Sequence, residues 1–158
     1  MEAIADVLSD YELERHKPMP TLTHGAIQAN IVMEMGAAYR KSYRIASEVS
    51  LETVPDGSTP DVVFYPLMPV GQPHEPARQS TPPLVCVEIQ SPSQSLNLMV
   101  EKTVMYFAFG VRSCWVVLPD IQAVLVYNRP GHYNFFHEDD ILHDKLLNIQ
   151  LPLSGIFS

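Results

Sequence analysis

Two acidic residues occupy positions in the sequence where a carboxylate could do chemistry. Asp61 follows Pro60 and opens a short apolar segment, and Glu88 follows the apolar run 84–87. A carboxylate after such a run needs a partner or a metal ion, because burying an unpaired charge is costly. If the two segments are neighbouring strands, their carboxylates come close together. Paired carboxylates, a backbone carbonyl and waters are ligands that Mg²⁺ prefers, so the pattern predicts a site for Mg²⁺ or Mn²⁺.

Two further residues complete this candidate site. Gln90 stands two residues after Glu88, where a lysine that orients or deprotonates a water could be expected. Its amide can hydrogen-bond a water but carries no charge. Lys102 is the nearest lysine in sequence, and it can reach the carboxylates if the helix that carries it packs antiparallel over the sheet. A bound metal ion would polarise a phosphate oxygen and lower the pKa of a water, which predicts phosphodiester hydrolysis.

Each of these residues also has a plainer interpretation. An aspartate after proline, as at Asp61, is common in turns and caps. Glu88 could pair with a surface arginine, Gln90 could satisfy backbone groups at a strand end, and Lys102 alone is typical of a solvated helix. His24, at the start of a helix, is more typical of a cap or the surface, although it could point towards the sheet end. Only the combination favours a site.

The hydrophobic pattern predicts the elements that must position these residues. Apolar spacing predicts a helix over 1–15, with a fresh start at Ser9-Asp10 as the alternative. A second helix is predicted from His24 to about Lys41, with Thr23 as its N-cap.

After the second helix the spacing of apolar residues changes to that of strands, which predicts a sheet with one crossover helix. Residues 66–83 hold six prolines and predict a loop. A helix that is capped by Ser91-Pro92-Ser93 and stops at Gly110 follows the third strand. The predicted strands cover residues 43–51, 60–66, 84–90, 114–118 and 123–127, followed by a segment around Gly131 that resembles a hairpin and a weak strand near 146–151. This order predicts a mixed α/β domain with a central sheet.

Composition limits the classes of protein that fit. The 158 residues predict a single domain over 1–158, with 18 acidic and 10 basic side chains and a net charge of −8. The excess acid lies in residues 1–14 and 138–158, because residues 15–137 hold nine acids and nine bases. An acidic chain argues against a passive nucleic-acid binder with a basic face. No apolar run is long enough to predict a membrane span.

The two cysteines, Cys86 and Cys114, lie in apolar strands and are expected to be buried. Two cysteines cannot build a disulfide scaffold, so nothing in the sequence requires an oxidising compartment. The start of the chain lacks the basic-then-apolar layout of a signal peptide. A cytoplasmic location is therefore expected.

Several short motifs, taken in order, resemble one protein family. They are Pro60-Asp61, the segment 87–93 around Glu88, Lys102 with Tyr106, and Gly110-Val111 leading to 114–117. Together they resemble a bacterial family of restriction-endonuclease-like proteins of the Uma-two type, from about residue 11 to residue 127. The resemblance implies a PD-(D/E)xK nuclease-like fold, an α/β fold whose mixed central sheet is flanked by helices.

The resemblance also implies roles for individual residues. Asp61 and Glu88 would be metal ligands, and Lys102 would replace the lysine that the family's motif has lost. Glu48 also looks like a family position and is either a third acidic ligand or a surface strand residue. Leu98 departs from the family, since many members carry an aspartate about four residues before this lysine.

Two functions are therefore expected from the sequence. The first is a Mg²⁺- or Mn²⁺-dependent nuclease that acts on DNA, with Gln90 positioning the attacking water. The second is a nuclease-fold module that has lost catalysis and serves protein interaction or regulation, which Gln90, Leu98 and the acidic ends favour. A homodimer is expected by resemblance, and the aromatic residues Tyr133, Phe135 and Phe136 could line its interface or lie in the core.

Overall fold

The computed structural model describes residues 7–15 and 17–158, and it shows a mixed α/β fold. Within these residues the first helix begins at Asp10, where the Ser9 hydroxyl accepts a 3.2 Å hydrogen bond from the Glu12 amide. The part of the predicted first helix that covers residues 1–6 lies outside the described residues. The helices are α1 (Asp10–Arg15), α2 (Leu22–Tyr39), α3 (Leu96–Phe109) and α4 (Leu153–Ile156), with a 3₁₀ turn at Pro119–Ile121.

A six-stranded sheet carries the candidate residues. Its strands are β1 (Tyr43–Ser47), β2 (Val62–Pro66), β3 (Val85–Ile89), β4 (Ser113–Leu118), β5 (Ala123–Arg129) and β6 (His132–His137). The strands lie in sequence order, and every neighbouring pair is antiparallel except β3 and β4, which are parallel. A parallel pair needs a crossover connection, and α3 supplies it.

The two faces of the sheet are covered by different helices. Residues Ile27, Ile31 and Met35 of α2 pack on one face, in a core that also contains Trp115. On the opposite face, α3 contributes Met99 and Tyr106 to a core that contains Cys86 and Cys114. Both cysteines are buried, as predicted. Because both faces are covered, β3 and β4 are buried along their whole length.

The predicted helix starts are shifted by a few residues. The N-cap of α2 is Thr21, not Thr23, and its side chain accepts a hydrogen bond from the His24 amide. The N-cap of α3 is Ser95, beyond the predicted Ser91–Ser93 segment. Thr and Ser recur along both segments, and composition alone does not select which hydroxyl takes the extended cap conformation. The stop of α3 at Gly110 is confirmed, and its φ of 114° suits glycine.

The last segment forms a second, two-stranded sheet. Strand β7 (Ile141–Asp144) pairs antiparallel with β8 (Ile149–Pro152), so the predicted final strand is present but starts later. The buried Asp144 accepts a 2.8 Å hydrogen bond from the Trp115 indole and so joins this hairpin to the main sheet. Helix α4 was not predicted. In the part of the chain that the structure describes, no helix has the length and apolar character to cross a membrane.

Candidate active site

Asp61 sits between the ends of β1 and β3, immediately before β2. Its amide donates to the Val87 carbonyl at 3.1 Å, and its carbonyl accepts from the Glu48 amide at 3.1 Å. These two bonds extend the sheet pairing by one residue and fix the Asp61 backbone. Its side chain is fully buried.

The buried carboxylate of Asp61 is surrounded by donors. Oδ1 lies 2.5 Å from the Lys17 ammonium group. Oδ2 accepts a 2.7 Å hydrogen bond from the Ile89 amide and lies 3.3 Å from His24 Nε2. Burial alone would raise the pKa of Asp61, but the bond to His24 and the charge of Lys17 outweigh it and lower that pKa. Asp61 therefore remains ionised at neutral pH.

Lys17 is the cation at the centre of this arrangement. Only 6% of its side chain is exposed, and Nζ also lies 3.5 Å from Glu48 Oε2. Burial would lower the pKa of the ammonium group, yet the charges of Glu88 and Asp61 raise it above its ordinary value. Lys17 is therefore a buried, charged lysine that faces three carboxylates.

Glu48 follows β1 in an unusual backbone conformation. Its φ of 57° lies in the left-handed region, which costs a non-glycine residue about 1–3 kcal/mol. Its carbonyl accepts a 3.0 Å hydrogen bond from Arg15, and its carboxylate faces Lys17 with 29% of the side chain exposed. The strained turn thus aims a third carboxylate at the same ammonium group.

Glu88 lies on the next strand, near the end of β3, and is buried. The Tyr106 hydroxyl donates a hydrogen bond to Oε1, and Lys102 Nζ lies 3.5 Å from Oε2. Burial is the main cause of a raised pKa for Glu88, with the charge of Asp61 acting in the same direction and that of Lys102 against it. The two buried carboxylates therefore interact, although different cations contact them.

Helix α3 explains why Lys102 and Tyr106 reach Glu88 together. The two residues are four positions apart, so they lie on one face of the helix. Tyr106 is buried against the sheet, while 15% of the Lys102 side chain stays exposed. The helix therefore presents a fixed hydroxyl to one Glu88 oxygen and a partly solvated ammonium group to the other.

Gln90 lies in a neighbouring cavity. Its side-chain amide donates to the Gln94 carbonyl at 2.9 Å, and the Gln94 side chain in turn accepts from the Ser91 amide at 3.0 Å. The cavity has a volume of about 230 Å³ and is also lined by His24. The structure thus places Asp61, Glu48, Glu88 and Lys102 around one site, with Gln90 engaged beside it.

A second cavity is lined by three cationic side chains. It has a volume of about 280 Å³, and Arg15, Lys17 and Lys102 line it together with Asp56 and Glu101. Three basic side chains around one opening are suited to an anionic group such as a phosphate. Each of these cations also lies near a carboxylate, since Arg15 and Lys17 are within 4.0 Å of Glu48 and Lys102 is 3.5 Å from Glu88.

The donors match a divalent cation in chemical type, but the position beside Asp61 is already taken by an ammonium group. Asp61, Glu88 and Glu48 supply hard oxygen ligands of the kind that Mg²⁺ prefers. Within the described residues, however, no three histidine, cysteine, aspartate or glutamate side chains are arranged to hold a metal ion together. Lys17 lies in contact with Asp61 and Glu48, so an ion that bound there would have to displace it.

Three residues of the site were not assigned a role there from the sequence alone. Lys17 falls in a proline-containing break without periodicity, so no pattern marks it. His24 is buried beside Asp61, so the cap or surface position expected as the more typical is wrong, and the alternative that it points towards the sheet end is correct. Tyr106 is part of the family resemblance, and its spacing of four from Lys102 is the signal that could have placed it beside Glu88.

Similarity to a solved structure and to a family model defines the class of protein. The crystal structure of "a putative nuclease belonging to DUF820" from Anabaena variabilis matches with a TM-score of 0.76 at 22% identity, covering 89% of this chain and 83% of that chain. The two proteins therefore share a fold. A family model described as "Putative restriction endonuclease" matches residues 7–154. The chain belongs to this family, Uma2, as the resemblance predicted. No curated protein matches it.

Proposed function

We propose that the protein is a metal-dependent nuclease that hydrolyses DNA phosphodiester bonds. The observation that carries this proposal is the pair of buried carboxylates, Asp61 and Glu88, at the ends of two adjacent strands. Burial of two acids side by side is unfavourable unless cations accompany them. Membership of a family described as "Putative restriction endonuclease" supports the same reaction class.

In this proposal Asp61, Glu88 and Glu48 would hold Mg²⁺ or Mn²⁺. A bound ion would polarise a phosphate oxygen and supply a water with a lowered pKa. The protein's own groups fix the ligands: the Ile89 amide holds one Asp61 oxygen, and the Tyr106 hydroxyl holds one Glu88 oxygen. The ammonium group of Lys17 would have to leave Asp61 Oδ1 before an ion could bind there.

Cationic side chains would bind the substrate. Lys102 and Arg15 line the second cavity, where a phosphate of the nucleic acid would lie. Lys102 would offset the charge that develops on the phosphate. Gln90 would have to release its bond to Gln94 before it could orient a water. Because the chain has a net charge of −8, its affinity for DNA is expected to be weak.

A plasmid cleavage assay tests this function. Wild-type protein with Mg²⁺ or Mn²⁺ should nick supercoiled DNA, and Glu88→Ala should reduce the rate at least about a hundredfold. Glu75→Ala removes an exposed glutamate outside the site and should cleave like wild type. Equal cleavage by wild type and Glu88→Ala would refute the assignment. The same assay with RNA in place of the plasmid shows whether the substrate is DNA or RNA.

One observation favours a second function. Lys17 already neutralises Asp61, so the fold can satisfy its buried carboxylates without a metal ion. A nuclease-fold module without catalysis, used in protein interaction or regulation, would have this property. Such a module would leave plasmid intact at every metal concentration, whereas the proposed nuclease would not.

We also propose that the protein forms a homodimer through the β6 side of the sheet. Strand β6 is the last strand of the sheet, and 55% of Tyr133 and 47% of Phe135 are exposed on it. Exposed aromatic side chains on an edge strand are typical of an interaction surface. Light scattering should give the mass of a dimer for wild type and of a monomer for Tyr133→Lys/Phe135→Lys. A monomeric wild type would exclude the dimer.

A further inference from the structure

The ammonium group of Lys17 lies where oxygen ligands converge. It is 2.5 Å from Asp61 Oδ1 and 3.5 Å from Glu48 Oε2, and the side chain is almost completely buried. A divalent cation bound to Asp61 would need the same region and the same oxygen lone pairs. Two cations at such a separation also repel each other strongly in a buried site.

The segment that carries Lys17 is held mainly by polar contacts. We call residues 7–15 and 17–20 the N-terminal arm. Among the described side chains of the arm, only that of Lys17 is buried, and Arg15 adds a 3.0 Å hydrogen bond to the Glu48 carbonyl. Most large apolar side chains of the arm are exposed, namely Val7, Leu8, Leu13 and Met19. Withdrawal of Lys17 would therefore leave both hydrophobic cores intact.

We propose that Lys17 is a tethered cation that takes the place of the divalent ion, so that metal binding and insertion of Lys17 between Asp61 and Glu48 exclude each other. This inference rests on the proposed function, because it assumes that the ion binds at Asp61. Its consequence is a gate: without metal the arm closes the site, and a bound ion releases Lys17 and the arm. Release of the arm would widen the cavity that Lys102 lines.

Calorimetric titration with Mn²⁺ tests this exclusion directly. Lys17→Met keeps the length of the side chain and removes its charge, while the Ile89 amide still holds Asp61. The Kd for Mn²⁺ is expected to fall at least about tenfold in this variant. Mn²⁺ should also raise the Tm of Lys17→Met more than that of wild type at the same concentration, because a ligand that binds the folded state stabilises it.

Three control variants locate the effect. Lys145→Met removes an exposed lysine and changes the net charge equally, so its Kd should stay within about twofold of wild type. Lys17→Arg keeps a cation in place and should bind Mn²⁺ no more tightly than wild type. Adding Glu88→Gln to Lys17→Met should abolish the gain, because it removes a carboxylate of the site.

A measurement on wild type avoids reliance on the stability of a variant. The Lys17 ammonium signal in a ¹⁵N NMR spectrum should be protected from solvent exchange without metal, because the group is buried and paired. Saturation with Mg²⁺, which is diamagnetic, should expose it and abolish that protection. An unchanged Lys17 signal in protein that calorimetry shows to be loaded with Mg²⁺ would overturn the proposal.

The outcomes separate this inference from the proposed function. Tighter Mn²⁺ binding by Lys17→Met, lost with Glu88→Gln, supports both. If Mn²⁺ binds wild type and Lys17→Met equally, and Glu88→Gln weakens this binding, the exclusion between Lys17 and the metal is overturned. The proposed metal-dependent function is then unaffected. No Mn²⁺ binding by either protein overturns the exclusion and the proposed metal dependence together.

Discussion

The Asp61 side and the Glu88 side of the site each hold one buried carboxylate, and their surroundings act in opposite directions. Asp61 accepts from a backbone amide, a histidine and a buried ammonium group, and its pKa is lowered. Glu88 has one hydroxyl donor and a more distant, partly exposed lysine, and burial raises its pKa. Similar burial therefore gives different protonation behaviour, because the number and closeness of the donors differ.

The difference suggests a division of roles. Environments that push two pKa values apart are typical of acid and base pairs in active sites. Asp61 is the member that stays ionised at neutral pH, and the Lys17 ammonium group lies against it. Glu88 is the less well compensated member, so a second positive charge near it would be favourable. In the proposed function, a divalent ion bound between the two carboxylates would supply that charge.

The largest expected effect comes from removing the charge on the Asp61 side. Asp61→Asn would leave the buried Lys17 ammonium group without its closest partner, and breaking such a pair costs about 3–5 kcal/mol of unfolding free energy. Urea unfolding measures this loss. Asp61→Asn/Lys17→Met should recover part of it, and a loss below about 1 kcal/mol would show that the pair is not buried in solution.

A smaller effect is expected from the hydroxyl on the Glu88 side. Tyr106→Phe removes the donor to Glu88 Oε1 and should lower the unfolding free energy by about 1–3 kcal/mol. Because that hydrogen bond favours the charged carboxylate, its loss should raise the pKa of Glu88 further. Carbon-detected NMR titration follows the carboxyl, and Tyr43→Phe, which removes a hydroxyl that donates to the Leu147 carbonyl, is the matched control. A falling pKa in Tyr106→Phe would contradict the assigned contact.

Lys102 should matter less to stability than to activity. Its ammonium group is partly solvated and lies 3.5 Å from the buried Glu88, so Lys102→Met should lower the unfolding free energy by about 1–2 kcal/mol, less than loss of the buried Asp61 charge. Cleavage of plasmid DNA should nevertheless fall at least about tenfold, because Lys102 lines the proposed phosphate cavity. Unchanged cleavage would show that Lys102 contributes to stability but not to catalysis.

The smallest effect is a difference in pH dependence. The pKa of Glu88 is higher in the folded than in the unfolded state, so its ionisation opposes folding at neutral pH and this penalty vanishes as the pH falls. Wild type should therefore gain stability relative to Glu88→Gln between pH 7 and pH 4, the region around and above the ordinary glutamate pKa of about 4.3.

Asp61 should give the opposite sign in the same experiment. Its folded-state pKa is lowered, so its contribution is present above the unfolded-state pKa and is lost as the pH falls through the folded-state value. Wild type should lose its advantage over Asp61→Asn as the solution becomes acidic. Urea unfolding across the pH series measures both differences, and equal signs for the two residues would refute the contrast between the two sides.

Much of the fold could be predicted because its signals are local. The alternating and apolar segments marked the main-sheet strands, and Gly110 marked the end of α3. Cap positions were less certain, because several nearby hydroxyl residues satisfy the same local rule. Helix α4, with only four residues, has no periodicity to detect.

The site could be predicted only in part. Glu88 was conspicuous because its carboxylate follows an apolar run, and Asp61 because of the motif that it shares with the family. Lys17 could not be found in this way, since its contact with Asp61 spans 44 positions in sequence and depends on how the arm crosses the sheet end. The buried position of His24 depends on the same tertiary packing.

Anomalous diffraction from crystals soaked in Mn²⁺ tests the central claim most directly, namely that Asp61 and Glu88 form a cation site. We expect an anomalous peak within roughly 2.0–2.6 Å of an Asp61 oxygen, shared with Glu88 or Glu48, and a Lys17 side chain that has moved away. Crystals of Lys17→Met should show the same peak at a lower Mn²⁺ concentration. The proposed cation site would be wrong if saturating Mn²⁺ gave no peak at these carboxylates in either protein and left Lys17 in contact with Asp61 in wild type.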